Sequence, residues 1–178
     1  DQPLPQIGFA IIAPPHLLPM WEDYAEVFGL PGARVYSSGK IEDAYERYKN
    51  TTEPHLFIFD EAHRYRNEDT QDYQLLHQLT RSHAGNKVLI LSATPFNNDP
   101  SDIFALIKLF QTPGAATLRT VENLSAKFTE LSKQYKDLRR SNKARAMTKD
   151  QRQELDIKRN AIAAELRRLL EPIMIRRS

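Results

Sequence analysis

Two adjacent carboxylates and a nearby histidine follow an apolar run in the stretch HLFIFDEAHRYRN, residues 55–67. The apolar residues 56–59 predict a buried strand, and a Gly, Asn or Pro turn would end that strand at lower desolvation cost than Asp60 and Glu61. An Asp in this position can hold Mg²⁺ directly or through water, and an adjacent Glu can orient or deprotonate an attacking water. His63 could report the state of a bound ligand to neighbouring strands. The alternative is that Asp60 caps the turn and Glu61 is solvated, and the short motif alone leaves both interpretations open.

Four short apolar runs, separated by helical patterns, surround these residues. Continuous apolar runs joined by helices rather than tight turns predict a parallel sheet with both faces covered, which is an α/β architecture. The carboxyl ends of such strands face the ligand crevice, so Asp60 is predicted to lie where ligands bind. The predicted strands cover residues 6–14, 33–38, 55–60 and 87–92, and the predicted helices cover residues 15–29, 40–50, 70–83 and 99–111.

The single tryptophan, Trp21, lies in the first helical pattern. Apolar residues recur around it at steps of three or four: Leu18, Tyr24, Ala25 and Phe28. Because these residues share one helical face, we expect Trp21 to be a core residue rather than a platform for a stacked base.

A different pattern begins after residue 121. Apolar residues there follow a heptad spacing: Leu124, Phe128, Leu131, Tyr135 and Leu138. A second helical pattern starts at Thr148, whose spacing to Gln151 suits a capping box. We therefore predict an antiparallel helical hairpin over residues 122–171, inserted in the α/β lobe of residues 1–121 or appended to it. Residues 172–178 are expected to begin a linker.

The hairpin carries an excess of positive charge. Residues 1–121 hold 10 basic and 15 acidic side chains, a balance of −5, whereas residues 122–178 hold 15 and 8, a balance of +7. The predicted bend contains six basic residues against one acid, and we single out Arg139, Arg140 and Lys143 as candidates for contact with a nucleic-acid backbone. A solvated helical face would give the same pattern, so both interpretations stay open.

The composition narrows the class of protein. With 40% hydrophobic and 27% charged residues, the chain is globular, and no apolar run approaches the roughly 20 residues that span a bilayer, so we expect no membrane partner. The sequence has no cysteine, which excludes disulfides and thiolate zinc sites and is compatible with a reducing compartment. It opens inside a strand pattern without Met, and we expect it to be a piece of a longer protein.

Several motifs together resemble a known family. The run DEAH and the later LILSATPFNN, residues 89–98, resemble the Walker B and S-A-T motifs of superfamily 2 helicases and translocases. The extended SATPFNNDPSDIFALIKLFQ is most similar to the Swi/Snf-type branch, as are IIAPPHLLPMWEDYAEVF and the closing LLEPIMIRRS. The resemblance covers nearly the whole chain and implies the first RecA-like lobe of a P-loop NTPase.

This resemblance implies a function and assigns roles. It implies a fragment of a DNA-dependent ATPase that couples ATP hydrolysis to movement on duplex DNA, with ATP and Mg²⁺ as cofactors and a cytoplasmic (nucleoid) rather than a nuclear location. Asp60 would hold the magnesium and Glu61 the hydrolytic water. His63 would couple ATP state to lobe movement together with the residues of the second motif: Ser92, Ala93 and Thr94. The segment after the first strand would lie near the nucleic acid: Pro14, Pro15 and His16.

The sequence departs from the family at the phosphate-binding loop. None of its six glycines precedes a Lys-Thr or Lys-Ser pair, since the SGK of residues 38–40 continues into Ile41. We expect that loop and its strand upstream and a second RecA-like lobe downstream, so the chain by itself should not turn over ATP. Without the missing strand, residues 87–92 form an open sheet edge through which the chain is expected to self-associate.

Other classes of function stay open. The chain could be a non-catalytic docking module with vestigial motor motifs, or part of a strand-separating helicase or a restriction-type translocase. A self-contained metal-dependent hydrolase is disfavoured because Asp60, Glu61 and His63 lie too close in sequence to complete a ligand set.

Overall fold

The computed structural model describes residues 7–30, 32–92, 100–111, 124–143 and 148–173, with only the backbone described for 141–143. The chain divides into two compact units. The first, which we call the α/β unit, comprises Asp1–Pro95 and Ala105–Phe110, and the second, the helical unit, comprises Phe96–Phe104 and Gln111–Ser178. The boundaries predicted at residues 121 and 171 stay predictions.

The α/β unit contains a four-stranded parallel sheet in the order β2-β1-β3-β4. Its strands are β1 (Gly8–Ala13), β2 (Arg34–Ser37), β3 (His55–Phe59) and β4 (Lys87–Ile90). The helices that follow them are α1 (Leu18–Val27), α2 (Ile41–Tyr48), α3 (Gln71–Thr80) and α4 (Pro100–Lys108), the last divided between the two units. All four predicted strands and all four predicted helices of this region are present, each a few residues shorter at its ends. The predicted α/β class is confirmed.

One face of the sheet packs against α2 and α3. Successive strand residues point to opposite faces, so this face is formed by alternate positions of the central strands: Ala10 and Ile12 of β1, and Phe57 and Phe59 of β3. These four residues are buried with Ile41, Ala44, Leu76 and Leu79 of the two helices. This core fixes the register of the central strands and so the positions of their carboxyl ends.

Strand β4 is at an edge of the sheet. Among the described residues it pairs with β3 alone, and its Leu89 is 39% exposed although it lies in a strand of apolar residues. The predicted open edge is therefore present in the described residues. Self-association through it stays a prediction.

Helix α1 corrects one expectation. None of its residues is buried, and the apolar face predicted to be core has Tyr24 exposed and Phe28 69% exposed, while Trp21 and Ala25 are half-buried. The helical period of the apolar residues is right, but the face is only partly covered within the described residues. Trp21 is therefore not a core residue.

The helical unit contains the predicted hairpin as α5 (Leu124–Lys143) and α6 (Lys149–Leu170). The helices are antiparallel: Lys127, near the start of α5, lies 3.5 Å from Glu165, near the end of α6. Thr148 caps α6 by accepting a hydrogen bond from the Gln151 N–H, and the Gln151 side chain accepts one from the Thr148 N–H. This is the predicted capping box.

The hairpin buries its apolar seam mainly at the end away from the bend. Leu124, Phe128 and Leu131 are buried, whereas Tyr135 and Leu138, nearer the bend, are only half-buried. The Phe128 ring stacks on that of Phe104 at 4.8 Å between centroids. On α6 the buried residues are Ile162, Leu166, Leu169 and Leu170. None of the helices described is long and apolar enough to cross a membrane.

Candidate functional site

The residues Asp60–His63, which we call the acid turn, lie at the carboxyl edge of the sheet. The Asp60 N–H donates to the Ile12 carbonyl of β1 at 2.9 Å, and the Ala62 N–H donates to the Leu91 carbonyl, just beyond β4, at 3.0 Å. The Leu91 N–H in turn donates to the Phe59 carbonyl at 2.9 Å. The acid turn thus continues the hydrogen bonds of β3 with the strands on both of its sides.

Two buried side chains hold the acid turn in place. Ala62 and Tyr65 begin and end a short 3₁₀ turn, and residues three apart in such a turn point to the same side. Both are buried, with the Tyr65 ring against Phe59 at 6.3 Å. The side chains of Glu61 and His63 are left half-exposed at the edge of the sheet. The acid turn and the residues after it therefore place Ala62 and Tyr65 in the core and leave Glu61 and His63 accessible at the edge of the sheet.

The backbone of Glu61 is strained. Its φ of 50° and ψ of 44° are left-handed, and it is the one non-glycine residue with positive φ among those described. The Cβ of an L-residue makes this conformation cost roughly 1–2 kcal/mol. Such strain is retained where the surrounding structure imposes it, and it is concentrated at functional sites.

The Asp60 carboxylate accepts two hydrogen bonds, one on each oxygen. Oδ1 accepts from the Glu61 N–H at 2.8 Å, and Oδ2 accepts from the indole N–H of Trp21, also at 2.8 Å. Each carboxylate oxygen has two lone-pair positions, so one on each oxygen is left for a cation or a water. The carboxylate is oriented and still able to act as a ligand.

The side chains of Glu61 and His63 face one another. His63 Nδ1 lies 3.1 Å from Glu61 Oε2, outside hydrogen-bond geometry. A small rotation of either side chain would form a hydrogen bond between these two atoms. The pair can therefore exist with Glu61 bound to His63 or with Glu61 released towards a water.

Ser92 lies next to the acid turn because it directly follows Leu91, which bonds Ala62. Its hydroxyl is buried and has no hydrogen-bond partner among the described residues. A buried hydroxyl without a partner carries a desolvation cost, and a ligand group at this edge of the sheet could remove that cost. The structure thus brings Asp60, Glu61, His63 and Ser92 together, while Ala93 and Thr94 lie outside the described residues.

The proposed nucleic-acid segment lies at the same edge of the sheet. It follows β1 directly, and Pro14 is buried while Pro15 and His16 are exposed. The Pro14 carbonyl accepts from the Leu17 N–H at 2.9 Å, which forms the 3₁₀ turn that leads into α1. This segment and the acid turn flank the end of β1 because the carbonyl of Ile12, two residues before Pro14, bonds Asp60.

The basic candidates lie in the helical unit. Arg139 and Arg140 are exposed on α5, with Arg140 3.8 Å from Asp137, and the side chain of Lys143 lies outside the described residues. Arg140, Lys133 and Lys136 line one open groove together with the acid Asp137 and the aromatic rings of Phe104 and Phe128. The groove is therefore not purely cationic, and contact of α5 with a nucleic-acid backbone stays a prediction.

The acid turn fits the metal that the sequence implies. No group of three or more His, Asp or Glu residues in the described part of the chain could hold a metal ion by itself. Mg²⁺ is commonly held by one or two carboxylates together with substrate phosphates and waters. Asp60, with a free lone-pair position on each oxygen, suits that mode of binding.

The fold and this edge of the sheet define a RecA-like α/β lobe. The SNF2-related domain family matches residues 35–178, and the chain belongs to this family, which places it in the Swi/Snf-type branch of superfamily 2. The solved Sulfolobus solfataricus SWI2/SNF2 ATPase core in complex with dsDNA is similar in fold, with a TM-score of 0.61 and 14% identity. The similarity covers 97% of this chain and 34% of the Sulfolobus chain, so this chain spans about a third of the length of that relative. No curated protein matches the sequence.

Sequence reasoning missed the contribution of Trp21. Its apolar spacing predicted a buried ring, whereas the structure shows a half-buried indole bonded to Asp60. One available signal was the indole N–H itself, because a tryptophan in contact with protein usually finds an acceptor for it.

Proposed function

We propose that this chain is part of the first motor lobe of an ATPase that moves along duplex DNA. The longer protein would supply a phosphate-binding loop, a second lobe and the remainder of the ATP site. The observation that carries the proposal is the acid turn of an SNF2-related chain, bonded to the ends of β1 and β4 with an oriented carboxylate at the carboxyl edge of the sheet. The similar Sulfolobus protein is an ATPase core in complex with dsDNA, which supports ATP and DNA as ligands.

The proposed roles are those that the family resemblance implies, and the geometry of the site is compatible with them. Asp60 would hold Mg²⁺, which when bound neutralises charge on phosphate oxygens. Glu61, half-exposed and held in a fixed backbone conformation, would orient the attacking water and accept its proton. His63 would bind the Glu61 carboxylate between turnovers. Ser92, whose buried hydroxyl has no partner in the part of the chain that the structure describes, would report the nucleotide state to the rest of the lobe together with Ala93 and Thr94.

DNA would be contacted at two places. Pro15 and His16 are exposed beside the acid turn, and the exposed Arg139 and Arg140 of α5 would neutralise phosphates, together with Lys143. A substrate of this kind and the absence of cysteine are the grounds for proposing a cytoplasmic, nucleoid location.

Glu61→Gln in the longer protein tests the central role. We expect this change to lower duplex-stimulated ATP hydrolysis by at least about 100-fold, because the amide cannot accept the proton of the water. Glu53→Gln is the matched control, since Glu53 is an exposed acid just before the amino end of β3 and should leave hydrolysis unchanged. Equal hydrolysis by wild type and Glu61→Gln would reject the proposed role of Glu61, whereas no hydrolysis by either protein would favour a docking module. If hydrolysis does depend on Glu61, a comparison of strand displacement with triplex displacement would distinguish a strand-separating helicase from a translocase.

A further inference from the structure

The indole of Trp21 joins α1 to the acid turn. Its N–H donates to Asp60 Oδ2 at 2.8 Å between residues 39 positions apart in the sequence. Hydrogen bonds to an ionised carboxylate are about twice as strong as those between neutral groups. This bond therefore contributes to holding α1 against this edge of the sheet.

Packing alone does not explain a tryptophan at this position. No residue of α1 is buried, and Val27 is 76% exposed. The Trp21 ring contacts Tyr24 edge-on at 6.1 Å, and Tyr24 is itself exposed. An aromatic residue that served only to fill the core would be covered on both sides, so the polar end of this indole is its distinctive contact.

The second donor to the same carboxylate makes the geometry specific. The Glu61 N–H holds Oδ1 while Trp21 holds Oδ2, so rotation of the Asp60 carboxylate about χ2 breaks at least one of the two bonds. The Glu61 N–H belongs to the acid turn and moves with it. Trp21 comes from a separate helix and is the part of this arrangement that can be removed without altering the turn.

We infer that Trp21 is a positioning residue that holds the Asp60 carboxylate in the orientation required to bind Mg²⁺. The inference rests on the proposed function, in which Asp60 is the magnesium ligand. Trp21 would act on the metal through its hydrogen bond to Asp60. Partners of metal ligands that act in this way typically change metal affinity by about 10–100-fold when removed.

The first test is Trp21→Phe in the longer protein, which keeps an aromatic ring and removes the N–H. We expect the Mg²⁺ concentration for half-maximal ATP hydrolysis to rise by roughly tenfold, while kcat at saturating Mg²⁺ changes by less than about twofold. Tyr24→Phe is the matched control, because it also removes a polar hydrogen from a ring of α1 but has no bond to Asp60. A general loosening of α1 would lower kcat without this selective Mg²⁺ effect, and that result would overturn the inference.

The second test needs no hydrolysis. In a proton–nitrogen spectrum of the longer protein, the indole N–H resonance of Trp21 is identified as the one that disappears in Trp21→Phe. We expect this resonance to lie downfield of that of free indole and to move towards it in Asp60→Ala. It should stay in place in Asp69→Ala, since Asp69 is an acid of the loop before α3. A wild-type resonance at the free-indole position would overturn the inference without any variant.

The two proposals fail in different ways. If Asp60→Asn retains ATP hydrolysis, the proposed role of the acid turn is wrong. If Asp60→Asn abolishes hydrolysis and Trp21→Phe leaves the Mg²⁺ dependence unchanged, the proposed function stands and the inference about Trp21 is wrong.

Discussion

Replacing Glu61 by glycine separates the backbone strain at this residue from its chemistry. At φ 50° and ψ 44°, the Cβ of glutamate costs roughly 1–2 kcal/mol. Glycine removes that cost but gives the unfolded chain more freedom, which is worth roughly 0.5–1 kcal/mol in the opposite direction. The net effect expected for Glu61→Gly is a rise of roughly 0.5–1 kcal/mol in the free energy of unfolding of the α/β unit.

Loss of the contact between Glu61 and His63 does not offset this gain in the free energy of unfolding. Glu61 and His63 are both more than a third exposed, and solvent-screened pairs of this kind contribute little. For a unit of about 100 residues, 1 kcal/mol corresponds to a change of about 4–8 °C in Tm. We therefore expect the α/β unit of Glu61→Gly to melt about 2–8 °C above that of the wild type.

Glu61→Gln is the control, because it removes the charge and keeps the Cβ. It should stay within about 0.5 kcal/mol of the wild type. Urea unfolding followed by the fluorescence of Trp21 reports on the α/β unit specifically, since that tryptophan lies in it and bonds the acid turn. A midpoint for Glu61→Gly at or below that of Glu61→Gln would refute the strain argument. Hydrolysis in the longer protein is expected to be lost in both variants, so the glycine variant would gain stability without activity.

Two further predictions concern other parts of the molecule. Burial raises the pKa of Tyr65 from 10.0 to about 12, so the unfolded state ionises first and about 2–3 kcal/mol of stability is lost as pH rises from 10 to 12. In Tyr65→Phe this part of the alkaline loss should disappear from urea unfolding curves; an unchanged alkaline limb would show that burial of this phenol is not the cause. Arg139→Gln with Arg140→Gln in the longer protein should reduce the slope of log K for duplex binding against log salt by about 1–2, whereas Arg34→Gln with Arg47→Gln should not. Equal slopes in both double variants would remove α5 from the DNA interface.

The sequence predicted the elements and the edge of the sheet well, for identifiable physical reasons. Continuous apolar runs such as residues 56–59, separated by helical patterns, favour a sheet covered on both faces, and parallel strands bring their carboxyl ends together. The capping box at Thr148 was readable because it depends on residues three apart. In local patterns of this kind both interacting residues lie close together in the sequence, so the contact can be predicted from it.

Contacts between residues that are distant in the chain could not be predicted from the sequence. The bond from Trp21 to Asp60 depends on how α1 lies beside the sheet, and helical periodicity gives the face of a helix but not the partner of one polar atom. The left-handed conformation of Glu61 was likewise hidden, because glutamate has no preference for it and the neighbouring bonds of the acid turn impose it. The exposed face of α1 was missed because a pattern of apolar residues does not say whether that face is covered.

The bonds of the acid turn to Ile12 and Leu91 also set how this site can open. The backbone amide protons of Asp60 and Ala62 are held by strands on opposite sides of β3, so they can exchange with solvent deuterium only when those strands come apart. The site therefore persists as long as the sheet itself. Local fraying of α1 would leave the spacing of Asp60 and Glu61 intact.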